Sequence, residues 1–398
     1  MNVYIVSIIG FPNGMAPASR IKCLAKAMKF AGAEVSVITY IRTESPWRTI
    51  QNTENSGTYE GIPFMYIGGK TIRSRIPPLN KLIEYMDRKR LLKYLQIHLK
   101  PKDIVYMYDL NCWEFSVQLA NTVHKKGAFY VKDLCEMPYG DRQVTEKMKK
   151  DREDAFKFEY PLVDTVIPIS DALMNLAKKY CKAECKFLKV PILVDFTKFK
   201  LADQSSQSDF PYIFHTGKVT EQKDGILGMI EAFGRVVNSS HPELRFICTG
   251  NYEGSIHAEA IRALINKYQL KDKLIFLGYI SQELLKEYLS KAAIVIINKY
   301  ENEQNTYCFA TKLAEYLAAA KPVIISDFGE AINWLKNKKS AIIFPAGDIT
   351  ALSKSIEYVL DNPTESKAIA GEGQEICQNC FDYKVWGQPL IDLFKSLK

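Results

Sequence analysis

Residues 306–327 read TYCFATKLAEYLAAAKPVIISD, and this stretch decides the fold. Thr311 is a residue type favoured at helix N-caps, and residues 312–320 have the Leu/Ala-rich composition of a packed helix. Lys321-Pro322 stops that helix, and the β-branched run Val323-Ile324-Ile325 then reads as a buried parallel strand. A helix N-terminus beside the carboxyl ends of a parallel sheet offers free N–H groups and a positive dipole end, which suits phosphate. Glu315, one turn into the helix, is poorly placed to touch phosphate. It is well placed to accept ribose hydroxyls.

Outward from this stretch the chain alternates strands and helices in two series. The first has strands at 2–9, 34–40, 103–107, 128–132 and 165–169, with helices at 18–31, 113–125 and 146–158 and a helix 171–181 capped by Ser170. The second has strands at 212–216, 244–249, 274–277, 294–297 and 341–344 besides the opening one. Its helices are expected at 225–237, 257–268, 282–291, 331–336 and from 349 onward. Such alternation predicts parallel, doubly wound sheets. The polar stretch ADQSSQSD at 202–209 separates the series, so the expected organisation is a domain 1–201, a linker 202–210 and a domain 211–380.

Composition agrees with two globular domains. The 398 residues are 47% hydrophobic and 25% charged, and no apolar run approaches the ~20 residues of a membrane span. Residues 3–11 are apolar but lack a preceding basic residue or a clear cleavage site, so they read as a first strand rather than a signal peptide. Nine scattered cysteines read as reduced structural thiols, in keeping with a cytoplasmic protein. The pairs Cys181/Cys185 and Cys377/Cys380 are too far apart in sequence, and too far from any His, to read as a zinc site. No Ser-His-Asp set, Walker-type loop or Gly-x-Gly-x-x-Gly fingerprint follows a strand.

The opening stretch resembles the signature of family-4 retaining glycosyltransferases. There a Glu-x7-Glu motif runs into a helix and then a Gly-Lys-Pro-Val-like strand. The second glutamate maps onto Glu315, and Ala320-Lys321-Pro322-Val323 onto the strand entry. Tyr307 stands where the first glutamate would fall, and Ala310 where the motif glycine would. The chain thus looks like a sub-branch with Thr311-Lys312 at the helix start. Glu301 and Glu303 are the nearby acids that could stand in for the missing glutamate.

The resemblance implies a GT-B fold, an α/β architecture of two Rossmann-like domains facing a cleft, with residues 381–398 returning to the first domain. It implies a nucleotide-diphosphate sugar as co-substrate and no metal. Gly217-Lys218 after the strand at 212–216 and Lys223 before the next helix map onto the Gly-Arg and Lys-Gly that hold the donor diphosphate. Two cations there would neutralise the departing diphosphate, so Lys218 and Lys223 are expected to be catalytic. Gly278, Tyr279 and Ile280 match the turn that contacts the base, whether uracil or guanine. In the first half, Gly10 and Gly14 bracket the loop that faces donor and acceptor. Arg20 has two readings, an acceptor-phosphate contact or a structural ion pair. Glu136 follows a strand end where relatives carry His-Asp or His-Glu, with Cys135 in place of the histidine. It is the first-half carboxylate for catalysis or acceptor contact, with a cap or ion pair as its other reading. His215 is expected to face the strand core.

Charge is uneven. Residues 1–200 carry 32 Lys/Arg against 21 Asp/Glu, whereas residues 201–398 carry 21 against 24. The surplus is densest from Lys70 to Lys102, with apolar residues interleaved at helical spacing. Either this is a solvated helix face or it contacts anionic lipid headgroups. No nucleic-acid motif accompanies it. The expected activity is transfer of a sugar from a UDP- or GDP-linked donor to a glycan or lipid-linked acceptor, with retention, in surface-polysaccharide assembly at the inner membrane face. The alternatives are a nucleotide-sugar epimerase and a non-catalytic scaffold.

Overall fold

Strand β1 (Asn2–Ser7) sits in the middle of a sheet, which explains why its residues are apolar on both faces. It pairs in parallel with β2 (Glu34–Thr39) on one side and with β5 (Ile104–Tyr108) on the other. The computed structural model describes residues 1–108, 112–139, 144–199, 208–217 and 219–397. Together with β3 (Ser56–Tyr59), β4 (Ile62–Tyr66), β6 (Phe129–Leu134), β7 (Thr165–Pro168) and β8 (Lys186–Phe187), these strands form one sheet. Its order is β3-β4-β2-β1-β5-β6-β7-β8. Only β3 runs antiparallel to its neighbour.

The chain forms two units, Met1–Val194 with Tyr383–Lys398, and Asp195–Asp382. The second unit has an all-parallel sheet of β9 (Tyr212–His215), β10 (Arg245–Cys248), β11 (Leu274–Phe276), β12 (Ile294–Ile297), β13 (Val323–Ser326) and β14 (Ile342–Phe344), in the order β11-β10-β9-β12-β13-β14. Both units are Rossmann-like. The strand order reverses at β1/β5 in the first and at β9/β12 in the second, and such reversal points leave a crevice at the strand carboxyl ends.

Helical periodicity supplies the covers. The helix Ile226–Ser239 turns Ile226, Met229, Ile230, Phe233 and Val237 inward, a spacing of three and four that lays one apolar face on the sheet. Helix α1 (Ala16–Phe30) does the same in the first unit, and the helix Tyr383–Lys395 packs across it. Leu390, Ile391 and Phe394 thereby join Val3, Ile5, Leu24 and Met28 in one core. A Cβ on Gly387 would collide with the Ala27 carbonyl, so glycine there permits the crossing.

Four expectations differ from the structure. The β3–β4 hairpin has no counterpart in the expected strands, because its turn is Glu60-Gly61, both at positive φ (48° and 76°), rather than the easily read Asn-Gly. The expected helix 331–336 is a short 3-10 turn, Glu330–Trp334, ended by extended Leu335. The chain passes between units at Val194/Asp195 and Asp382/Tyr383 rather than at 202–210 and 380/381. Phe381 explains the second offset, since it is fully buried against Phe309 and Trp334 of the second unit. Of the expected linker, residues 202–207 lie outside the described residues. Finally, Thr311 does not cap the helix Lys312–Ala318: its own backbone is already helical and its side chain accepts no N–H.

Candidate functional site

The β9/β12 crevice of the second unit gathers charged side chains from four separate segments. β9 ends in His215 and is followed by Thr216 and Gly217; Asn298 and Lys299 follow β12. The helix Lys312–Ala318 contributes Lys312, Glu315 and Tyr316, and the turn before the helix Ile226–Ser239 contributes Lys223, Asp224 and Gly225.

Asp224 is the hub. Its Oδ1 lies 2.7 Å from Lys312 Nζ and 4.0 Å from Lys299 Nζ, and its Oδ2 accepts from Thr220 Oγ1 at 3.0 Å. Burial alone would raise this carboxyl, but Lys312 and Lys299 outweigh it and hold it below the usual carboxylate range. Lys312 Nζ also lies 3.3 Å from His215 Nε2, while His215 Nδ1 is 3.4 Å from the Ile296 carbonyl. That pairing fits a neutral imidazole with the proton on Nδ1. Burial and Lys312 push its pKa down to about 3. Lys299 Nζ donates to the Lys223 carbonyl at 2.6 Å. Burial lowers the Lys312 ammonium, Asp224 opposes that shift, and Lys299 and Lys223 add to it. Two lysines, Lys312 and Lys299, therefore face one carboxylate, Asp224, beside a neutral histidine.

The backbone is shaped around these groups. A Cβ on Gly217 (φ 120°) would stand 3.3 Å from Lys312 Nζ, so this glycine opens the floor over the ammonium. Gly217 N–H donates to Thr249 Oγ1 at 2.7 Å, and Thr216 N–H to Tyr316 Oη at 2.9 Å, tying the ends of β9, β10 and the helix together. Gly225 (φ 59°) ends one short helix and starts the next, and its carbonyl accepts from Asn298 Nδ2 at 2.9 Å. Glu315 is half-buried, and desolvation pushes its carboxyl up to about 7 against the opposing fields of Lys312 and Lys286.

Among the residues singled out by sequence, Gly217, Lys223, Lys312 and Glu315 come together here. Lys218 lies outside the described residues. Tyr307 ends the short helix Glu303–Tyr307, Ala310 is buried, and Thr311 is exposed at the helix start. Gly278 forms a backbone bridge with Gly250, after which Tyr279 is 83% exposed and Ile280 half-buried. His215 is fully buried, as expected, yet it touches Lys312. Asp224, Lys299 and the Lys312 side chain were missed by sequence. The signal for Asp224 and Lys299 was charge placed directly after a strand or before a glycine at the reversal point.

In the first unit the β1/β5 crevice is built differently. Arg20 is 7% exposed; its Nε lies 3.2 Å from Asp133 Oδ1, and Nη1 and Nη2 donate to the carbonyls of Pro191 and Val190 at 2.9 and 3.3 Å. Of the two readings of Arg20, the ion pair is the one present. Tyr106 also donates to Asp133. Gly10 and Gly14 leave room for the loop, since a Cβ on Gly14 would stand 2.8 Å from Ala18 Cβ. Glu136 stands half-buried just beyond the carboxyl end of β6. Among the described residues, no group of three or more His, Cys, Asp or Glu is placed to hold a metal, and no helix is long and apolar enough to cross a membrane.

Comparison with known proteins fits this geometry. Residues 197–375 match the family model "Glycosyl transferases group 1". The alpha-D-kanosaminyltransferase of Streptomyces kanamyceticus is 18% identical over 199 residues, covering 50% of this chain and 49% of that protein. An uncharacterized glycosyltransferase of Methanocaldococcus jannaschii is 26% identical over 141 residues, 35% of this chain and 33% of the relative. The matched part thus spans half or less of these curated relatives. Solved structures align over the whole chain. Sucrose-phosphate synthase from Thermosynechococcus elongatus gives a TM-score of 0.72 at 18% identity, covering 100% of this chain and 98% of that one. Anabaena HepE in complex with UDP gives 0.71 at 16%, with both chains fully covered. The fold is GT-B.

Proposed function

We propose that this chain is a retaining glycosyltransferase that takes a sugar from a nucleoside-diphosphate donor held by the second unit. The observation that carries this reading is the pair of ammonium groups, Lys312 and Lys299, gathered at the β9/β12 crevice about the single carboxylate of Asp224 beside the opened floor at Gly217. A nucleoside diphosphate matches it in sign. It would also reverse the downward shift of Lys312. As the glycosidic C–O bond breaks, negative charge grows on the leaving phosphate oxygen, and preset ammonium groups stabilise that charge without reorganising. In this reading Lys312, Lys223 and Lys218 supply the charge that neutralises the leaving diphosphate. Glu315 accepts the ribose hydroxyls, and Tyr279 and Ile280 border the base.

The bound ligand in the HepE complex is UDP, which supports a uridine donor, with GDP as the competing base. Retention rests on the resemblance of residues 306–327 to family-4 enzymes; Gly14 is assigned to the donor, and Gly10 and Glu136 to the acceptor side. The acceptor is a glycan or lipid-linked sugar of surface-polysaccharide assembly, met at the cytoplasmic face of a membrane.

The test is thermal stabilisation by UDP, GDP, their monophosphates and NAD, with a chelator present. A ligand at about a hundred times its dissociation constant adds roughly 2.7 kcal/mol. A shift with one diphosphate, retained under chelation and lost in Lys223→Ala and Glu315→Ala, is the expected result. A shift with none of them overturns the reading in favour of a scaffold. Donor turnover to an isomeric sugar without acceptor overturns it in favour of an epimerase.

A further inference from the structure

Helix α2 (Pro77–His98) is 22 residues long, yet it buries only Asp87, Leu91 and Leu95. Its first ten residues bury nothing, although five of them are Leu79, Leu82, Ile83, Tyr85 and Met86. Leu79, Leu82 and Met86 are spaced by three and four, so they share one face, and they are 40%, 55% and 44% exposed. Lys89, Arg90 and Lys93 lie on or beside that face and are exposed. The helix's two acidic residues are already matched internally, Glu84 with Arg88 and Asp87 with Arg90 at 2.5 Å. A second exposed apolar side chain lies near the start of α2: Trp47 is 73% exposed and lies 5.5 Å beneath the guanidinium of Arg75, two residues ahead of the helix.

Exposed apolar residues clustered at helical spacing and framed by Lys and Arg match an interfacial surface. We propose that the N-terminal half of α2, with Trp47, docks on an anionic lipid bilayer. Apolar side chains would enter the headgroup–acyl boundary while the lysines snorkel to the phosphates. A second copy of the chain is the poorer occupant, because it would set two basic faces against each other. Anionic lipid supplies the opposite sign.

The patch connects directly to the acceptor-side loop. Asn52 accepts from Asn13 N–H at 2.8 Å, donates to the Asn13 carbonyl at 2.9 Å, and donates to Glu44 at 2.7 Å. The segment that carries Trp47 therefore braces the Gly10–Gly14 loop. On the transferase reading, which this one step assumes, the acceptor is anchored in the same lipid.

The experiment is sedimentation of the full chain with vesicles of phosphatidylcholine alone or mixed with phosphatidylglycerol. Binding is expected only with the anionic vesicles, weakened at least ~10-fold by high salt. The double substitution Leu82→Glu/Met86→Glu should reduce binding at least ~10-fold, leaving the unfolding midpoint and any nucleotide shift unchanged. No sedimentation, or equal sedimentation of the double variant, overturns the proposal. So does a concentration-dependent dimer that the same substitutions dissolve. Vesicle binding without a nucleotide shift keeps the docking surface and sinks the transferase reading; the converse sinks only the docking surface.

Discussion

The two strand-order reversals have the same topology and opposite charge arrangements. At β1/β5, one guanidinium meets one carboxylate and two carbonyls, and all three nitrogens of Arg20 donate within the protein. At β9/β12, Asp224 is shared among lysines, and the imidazole next to them is neutral. A cation paired within its own chain holds a fold together. Two ammonium groups sharing one carboxylate match, on the proposed reading, an anion from outside.

The largest expected effect tests the saturated crevice. Arg20→Met leaves Asp133 buried without its charge partner and should cost about 3–5 kcal/mol in urea unfolding, with nucleotide affinity of the surviving folded protein unchanged. Lys312→Met should weaken diphosphate binding by roughly 100-fold, or about 2.7 kcal/mol, in a calorimetric titration, with a smaller stability cost because Lys299 stays beside Asp224. If both substitutions act mainly on stability, the contrast between the crevices is wrong.

A smaller effect separates Glu315 from His215 by pH. Burial raises the Glu315 carboxyl from 4.5 to about 7, so the folded chain keeps a proton that the unfolded chain releases. Stability should fall as pH rises through that window. His215, lowered from 6.5 to about 3, acts oppositely, and its contribution is lost as pH drops below 6.5. Glu315→Gln should remove the first slope and keep the second, adding roughly 3 kcal/mol at pH 8 in urea unfolding, while it weakens nucleotide binding. The smallest effect belongs to Tyr279→Ala. Exposed as it is, its loss should leave stability within about 0.5 kcal/mol and weaken nucleotide binding only a few-fold.

Much of the architecture was legible because short segments carry their own signals. Ser170 caps its helix through Leu173 N–H, the helix Trp113–Lys125 has the expected bounds, and β13 follows Lys321-Pro322 as expected. The candidate site was legible only in part. Lys312 and Asp224 are 88 positions apart, and no local pattern announces that the fold will bring them within 2.7 Å. Lys312 stood out for its place at a helix start, whereas its structural partners reveal its side chain as the relevant group. Arg20 could not be decided from sequence for the same reason, since Asp133 lies 113 residues away.

The helix Tyr383–Lys395 has a consequence for how the chain matures. Translation delivers residues in order, and domains generally fold as they emerge. Leu390, Ile391 and Phe394, which complete the core around Val3 and Leu24, are made after the whole of Asp195–Asp382. The unit that is synthesised first thus finishes folding last. Until then α1 shows solvent an apolar face reserved for the helix Tyr383–Lys395.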